Sequence, residues 1–223
     1  MYIVCHMMAS IDGRIDCAMT EKLQGVDEYY SALQQLNVPT TVSGRVTAEM
    51  EMGVTGRFTP ENATPLGKTA FSRKADATGY TVVADTKGVL LWGELDANEP
   101  PLLILTSEQV TNEYLSYLDE KSISWVACGK DKIDLAGAVD ILEREFGVTR
   151  MGIVGGGTVN AGFLDAGLLD EVSMVFGAGI DGRGGMGASF DGRSKEREPV
   201  QLTLNSVESY PNGTGWLRYT VQK

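Results

Sequence analysis

The sequence is poor in the residues that build metal centres and disulfide frameworks, with 3 cysteines and 1 histidine in 223 residues. Cys5, Cys17 and Cys128 are odd in number, widely spaced and never in a C-x-x-C pair, and His6 stands alone. A disulfide scaffold or structural zinc site is therefore disfavoured. Positive charge is also scarce: 19 Lys and Arg against 30 Asp and Glu give a formal net charge of −11. With no basic run to override it, the field repels nucleic acid and anionic membrane surfaces, so neither is expected as a partner. Long apolar runs are missing too. The amino-terminal MYIVCHMMASIDG has no basic n-region and only a short apolar stretch before Asp12, and it reads as neither signal peptide nor membrane span. A cytoplasmic location is the expectation. Two nucleotide-binding signatures fail as well. Gly155-Gly156-Gly157-Thr158 lacks the G-x-G-x-x-G spacing, and Gly67-Lys68-Thr69 has Asn62 where a Walker A loop needs its first glycine.

What the chain does have is a run of strand, glycine turn and helix at Met151–Glu171, MGIVGGGTVNAGFLDAGLLDE. Glycines at 155–157 carry no Cβ, so a ligand can approach their amides closely, and a following helix N-terminus offers unpaired N–H groups and a positive dipole end. The stretch reads as a phosphate turn or simply a tight bend. Upstream, Tyr2–Met8 is a strand ending in Ser10-Ile11-Asp12-Gly13-Arg14, and Asp27–Leu36 has helical apolar spacing behind an acidic start. Thr40–Ser43 is a short strand leading through Gly44-Arg45 into a helix from Val46 to about Met52. Residues 53–79, with four glycines and two prolines, read as irregular surface of the kind that forms a flap.

Tyr80–Ala84 and Leu102–Leu105 are strands, the second running into Thr106-Ser107-Glu108 and a helix through Leu118 with a hydroxyl residue at its N-cap. Ser124–Ala127, then a helix capped by Asp134 and ending at Phe146, continue the alternation. After the strand Glu171–Phe176 comes a glycine-rich loop to Gly192. Two alternating strands joined by Pro211-Asn212-Gly213-Thr214 then make a hairpin. Alternating strands and helices predict a largely parallel sheet covered on both faces and edged by the antiparallel hairpin. His6 alternates with Val4 and Met8 on an inner strand and reads as a hydrogen-bonded core residue, and Trp92, Trp125 and Trp216 read as packing.

Three phosphate-type elements follow strands: Gly44-Arg45-Val46-Thr47, Thr106-Ser107 and the Gly155–Gly157 turn. In an open α/β sheet such elements lie at the carboxyl ends of the strands, where ligands bind, so they could serve one extended anionic cofactor. Arg45 has the bidentate geometry for a 2′-phosphate. Taken singly, Arg45 is better explained as an exposed cation at a helix start and Thr106 and Ser107 as caps.

These motifs together resemble the reductase domain of bacterial riboflavin biosynthesis, within the dihydrofolate-reductase-like superfamily, over nearly the whole chain. The resemblance implies a single domain over 1–223 with a three-layer α/β/α sandwich, NADPH as cofactor, and a homodimer. It places the cofactor phosphates on Gly44, Arg45, Thr47, Gly155, Gly156, Gly157 and Thr158, with Thr106 and Ser107 near the adenosine 2′-phosphate. Ser10 and Asp12 match the loop beside nicotinamide and substrate, Asn160 belongs to the glycine motif on the substrate side, and Glu171 matches an acid facing the same cleft. Asp27 or Glu28 stands where dihydrofolate reductases carry their active-site acid.

The implied reaction is hydride transfer to a ribosylamino-pyrimidine phosphate or related heterocycle, with Asp12, Asp27, Glu28 or Glu171 handling the proton. A pterin or folate reductase, and a nucleotide-binding protein without chemistry, are the other readings. Two features depart from the family. The zinc deaminase motifs of the fused enzyme are absent, and Gly177-Ala178-Gly179 stands where the family commonly closes the strand with proline.

Overall fold

The computed structural model describes residues 1–223. In chain order the first elements are β1 (Tyr2–Ala9), α1 (Cys17–Thr20), α2 (Val26–Leu36), β2 (Thr40–Gly44), α3 (Arg45–Glu51), β3 (Val54–Arg57) and β4 (Ala70–Ser72). There follow β5 (Thr81–Ala84), β6 (Leu90–Trp92), β7 (Leu102–Thr106), α4 (Asn112–Glu120), β8 (Ser124–Ala127) and α5 (Leu135–Phe146). The chain ends with β9 (Arg150–Ile153), α6 (Gly157–Asp165), β10 (Glu171–Phe176), β11 (Leu202–Ser209) and β12 (Gly215–Val221). Two compact units result, one of Pro39–Met151 with Met1, the other of Tyr2–Val38 with Gly152–Lys223.

In the Pro39–Met151 unit the strand order is β2-β5-β7-β8-β4. β2, β5, β7 and β8 are mutually parallel and β4 closes the edge antiparallel to β8. β7 and β8 are buried at every position, which is why they read as continuous apolar runs without alternation. One core joins Ile104, Val83 and Leu90 to Tyr114, Leu115 and Leu118 of α4.

Two expectations fail here. Residues 53–79 are not wholly irregular: β3 pairs antiparallel with β6, and Phe58 packs edge-on against Tyr114 at 5.2 Å. The glycines hid short strands of three and four residues, too brief to carry a periodicity. The second correction concerns α4, which starts at Asn112 and is capped by Thr111, whose Oγ1 accepts from Tyr114 N at 3.2 Å. Thr106 stays in the strand and Ser107 in the following turn because their hydroxyls have another acceptor, described below.

In the other unit the order is β11-β12-β10-β1-β9. β1 and β10 are parallel, Val4 opposite Glu171 through Ala9 opposite Phe176, while β12 and β11 are the antiparallel hairpin. Its turn closes with Gly213 N donating to Tyr210 O at 2.9 Å, and Gly213 has φ +87°, which explains a glycine there. α2 seals β1 with Ala32 and Leu36 against Val4, Val175 and Trp216.

His6 is fully buried in this core. Its Nε2 lies 3.0 Å from Tyr29 O, which can only accept, so Nε2 carries the proton and Nδ1 accepts from Ser173 Oγ at 2.9 Å. Trp216 Nε1 donates to the same oxygen at 2.8 Å. Every polar atom of the cluster is satisfied, and burial pushes the imidazole down to about 4.

Candidate functional site

The carboxyl ends of β2, β5 and β7 stand side by side and carry Gly44-Arg45, Asp85 and Thr106-Ser107. Gly44 is extended and buried, and Arg45 opens α3. With seven residues α3 has little dipole, so the cation itself is the useful feature. Arg45 Nη1 is 3.7 Å from Glu49, one turn on, and Glu49 also receives Arg57 at 2.9 Å. That leaves the half-exposed guanidinium only loosely held. Thr47 lies on the same helix.

Thr106 and Ser107 are wholly buried, and both hydroxyls donate to Thr86 O, at 3.0 and 2.8 Å. Asp85, 1% exposed, secures the other side of that turn by accepting from Val89 N at 2.6 Å and Leu90 N at 3.0 Å. Burial raises the Asp85 carboxyl above its ordinary range, opposed by those amides and by the charge of Arg45. Asp85 directly follows a strand, but no motif marks it and the sequence did not single it out. The rim is thus a braced turn whose hydroxyls are turned inward.

In the other unit, Gly155-Gly156 leads from β9 into α6. Gly155 has φ +120°, and a Cβ there would meet Met7 at 3.3 Å. At Gly156 a Cβ would meet nothing, while at Gly157 it would collide with Ala188 O. The backbone is therefore approached by protein on one side and open on another. α6 receives no side-chain cap from Gly156, so its first amides, at Gly157 and Thr158, have no capping side chain from that residue. Asn160, one turn on and 0% exposed, donates to Ser189 O at 2.6 Å. Its Oδ1 and the buried Ser189 Oγ have no partner. Of these two atoms only the Ser189 hydroxyl can donate, and together with a helix start that has no side-chain cap it fits the phosphate of a nucleotide cofactor, whereas Asn160 Oδ1 can only accept and calls for a donor. Ser189 carries no motif and was invisible in the sequence.

Ser10 and Asp12 lie just past the carboxyl end of β1. Ser10 Oγ donates to Asp12 Oδ1 at 2.6 Å, and Asp181 N and Gly182 N donate to the two carboxylate oxygens at 3.0 Å each. The Ser10 hydroxyl first, then these amides, hold Asp12 well below the usual carboxylate range. Arg14 Nε is 4.0 Å from Asp12 Oδ2, an ion pair without a hydrogen bond, and Arg14 Nη1 donates to Met186 O at 2.5 Å.

The loop after β10 thus wraps the Ser10–Arg14 segment, with Ile11 N donating to Gly179 O at 2.8 Å. Its glycines fit closely: a Cβ at Gly177 would sit 2.8 Å from Gln24 O, and one at Gly179 2.5 Å from Leu23. α2 starts at the same edge, since Gly25 lies against the Met8 side chain. Asp27 in its first turn is exposed and has no hydrogen-bonding or ionic partner, whereas Glu28 accepts from Asn212 Nδ2 at 2.8 Å.

Glu171 does not join them. It opens β10 opposite Val4, five residues before Ala9, which puts it about 16 Å along the strands from the Ser10 end at the usual strand rise. There it is 3% exposed and fully engaged: Arg218 Nε donates at 2.5 Å, Arg218 Nη2 at 3.0 Å and Tyr2 Oη at 2.5 Å. The expectation that it faces the same cleft as Asp12 is corrected by this register.

Residues 1–215 match the model of the RibD C-terminal domain family. Among solved structures, a pyrimidine reductase-like protein from Corynebacterium diphtheriae superposes with a TM-score of 0.70 at 17% identity, covering 100% of this chain and 92% of that one. RibD from Acinetobacter baumannii gives 0.67 at 17% identity, over 99% of this chain and 58% of its own length. The riboflavin biosynthesis reductase Rib7 of Saccharomyces cerevisiae gives 0.61 at 12% identity, over 99% and 90%. These likenesses establish a mixed α/β fold with a large, mostly parallel sheet and an antiparallel hairpin. No curated protein sequence matches the chain. None of its helices is long and apolar enough to cross a membrane.

Proposed function

This chain belongs to the RibD C-terminal domain family, and from that premise we propose that it is an NADPH-dependent reductase of a ribosylamino-pyrimidine phosphate, of the 5-amino-6-(5-phosphoribosylamino)uracil type. The observation that carries the reading is that the family match spans all the motif residues above and runs through both compact units, which also supports treating 1–223 as one reductase domain. NADPH, when bound, supplies the hydride.

The protein's own contribution is positioning and charge. Arg45, with Gly44 and Thr47 beside it, is assigned the 2′-phosphate, because a guanidinium fork stays charged and can grip phosphate oxygens in pairs. The inward-turned Thr106 and Ser107 hydroxyls brace the rim beside it. In the other unit the open backbone of Gly155–Gly157, with Thr158, takes a phosphate through its amides. Asp12 is ionised at neutral pH and so can only accept; it orders the Ser10 loop and orients a substrate donor such as a ring N–H or ribose hydroxyl. Asn160, with its free Oδ1, offers a further acceptor. Asp27 is the candidate carboxylate at this edge with no protein partner, which supports giving it the proton.

The test is direct: purified protein, NADPH and the ribosylamino-pyrimidine phosphate, followed by loss of the reduced-nicotinamide absorbance and by mass analysis for a product two hydrogens heavier. Oxidation that depends on the substrate, and that falls at least tenfold in Asp27→Asn, is expected. NADPH binding without turnover of this substrate would remove the assigned chemistry.

The homodimer is part of the same proposal. β11 is an outer-edge strand with Leu202, Leu204 and Val207 exposed, an unpaired apolar edge that a second copy would cover. A cytoplasmic location accords with this reading.

A further inference from the structure

Between Gly182 and Gly185 the loop after β10 reads Gly-Arg-Gly-Gly, so Arg183 is the one side chain available to fix that stretch. Glycines leave a backbone free to take many conformations, and a loop built from them keeps a single shape only where something ties it down. Arg183 ties it with a fork. Its Nε donates to Asp181 Oδ1, its Nη2 donates to Asp181 Oδ2 at 3.0 Å, and Nη2 also donates to Asp16 Oδ2 at 2.7 Å. The Asp181 side chain is 1% exposed, so the fork is sheltered at its acid end. Asp16 is the N-cap residue of α1, in the segment that follows β1. One guanidinium therefore joins the loop after β10 to the segment that carries Asp12.

The residues held by this tie are the ones that hold Asp12. Asp181 N donates to Asp12 Oδ1 and Gly182 N to Asp12 Oδ2, at 3.0 Å each, and Ser10 Oγ donates to Oδ1 at 2.6 Å. A carboxylate has roughly four acceptor sites, two on each oxygen. Oδ1 has two donors and Oδ2 has one, so the site left for an incoming donor is on Oδ2, beside the Gly182 amide. Arg14 Nε, 4.0 Å from Oδ2, makes no hydrogen bond there.

We propose that Arg183 is a positioning residue: by clamping Asp181 to Asp16 it keeps the Gly182 N–H on Asp12 Oδ2, and so fixes the direction in which the remaining acceptor site meets a substrate N–H or hydroxyl. The proposal rests on the reading of Asp12 as the group that orients the substrate. Arg183 itself is given no contact with substrate, because two carboxylates already share its guanidinium. A fork fixes geometry in a way that a point charge does not, so lysine at this position is only a partial replacement. A surface ion pair that merely decorated the loop would leave the two amides on Asp12 undisturbed when removed.

The test compares Arg183→Ala and Arg183→Lys with wild type in the full-length protein. In the ligand-free protein, amide hydrogen exchange read by NMR should be at least tenfold faster at Asp181 and Gly182 in Arg183→Ala, with the amides of β7 unchanged and the melting temperature within about 3 °C of wild type. With NADPH and the ribosylamino-pyrimidine phosphate, kcat/KM for the pyrimidine should fall about tenfold, mostly through KM, while the Kd for NADPH stays within about twofold. Arg183→Lys should lie between the two. In an Asp12→Asn background, adding Arg183→Ala should lower kcat/KM by less than about twofold, because the residue it positions is already gone. Wild-type protein that binds NADPH but turns over none of the pyrimidine overturns the reductase reading and this proposal with it. Wild-type turnover combined with a pyrimidine KM unchanged in Arg183→Ala, with unchanged exchange of the two amides, or with a full further loss in the Asp12→Asn background overturns the proposal alone.

Discussion

Replacing Glu171 separates a structural carboxylate from a catalytic one. It is nearly fully buried at the start of β10 and accepts three hydrogen bonds, two from Arg218 and one from Tyr2. A hydrogen bond to a charged group is worth roughly 1.5–3 kcal/mol, and stripping one partner from a buried pair leaves the other charge uncompensated. Arg218 is about one-third exposed and can recover some hydration, which reduces the loss. Glu171→Ala should therefore cost about 2–4 kcal/mol. For a chain of this size that is a fall in melting temperature of roughly 4–16 °C. Glu171→Gln, which keeps one acceptor oxygen, should lose about half as much. The assays are thermal unfolding and, below the transition, kcat/KM for NADPH oxidation. If Glu171 only braces the sheet, kcat/KM per folded molecule stays within about twofold of wild type, a difference of ~0.4 kcal/mol. Unchanged stability together with a loss of turnover of a hundredfold or more would refute this placement and return Glu171 to the chemistry.

Three further outcomes follow from the geometry. The imidazole of His6 is pushed from 6.5 down to about 4 by burial, so the unfolded chain takes up its proton first as pH falls. Its stabilisation is complete above pH 6.5 and is lost between 6.5 and about 4, a change of about 3 kcal/mol. Denaturant midpoints measured across that window should show the slope, and His6→Gln should flatten it; the same slope in the variant would place the titrating group elsewhere. Leu204→Lys/Val207→Lys on the edge strand should halve the mass measured by light scattering, and an unchanged mass would remove β11 from any interface. Asn160→Ala removes the buried bond from Nδ2 to Ser189 O and should cost about 1–3 kcal/mol of stability, and below the unfolding transition it should also raise the KM for substrate or cofactor severalfold. An unaltered KM would leave Asn160 a structural residue.

Elements with strong local signals were readable from the sequence. α5 is bounded by Asp134, which caps Gly137 N at 3.2 Å, and by Gly147 at φ +69°, and the hairpin turn was marked by Asn212-Gly213. The buried parallel strands were visible as short apolar runs. What escaped was decided by distant partners. Whether Thr106 begins a helix or stays in a strand depends on the Thr86 carbonyl twenty residues away, and nothing around Thr106 reveals it. β3, β4 and β6 are too short to show alternation and exist because β6, β8 and the Phe58–Tyr114 contact hold them.

The candidate site divides the same way. The glycine turn and the Ser10–Asp12 loop lie where their spacing placed them, at strand ends. Glu171 was misplaced because motif proximity says nothing about which end of a strand a residue occupies. Asp85 and Ser189 were missed because a lone acid after a strand and a serine in a glycine-rich loop carry no pattern.

The central claim is NADPH as cofactor, with Arg45 reading the 2′-phosphate, and calorimetric titration of wild type and Arg45→Ala with NADPH and NADH tests it most directly. Wild type should bind NADPH more tightly than NADH. Arg45→Ala should lose roughly 10- to 100-fold of its NADPH affinity, the equivalent of 1.4–2.8 kcal/mol, with less than about twofold change for NADH. Absence of NADPH binding by the wild-type protein at millimolar concentration, or equal losses for the two nucleotides in the variant, would contradict it.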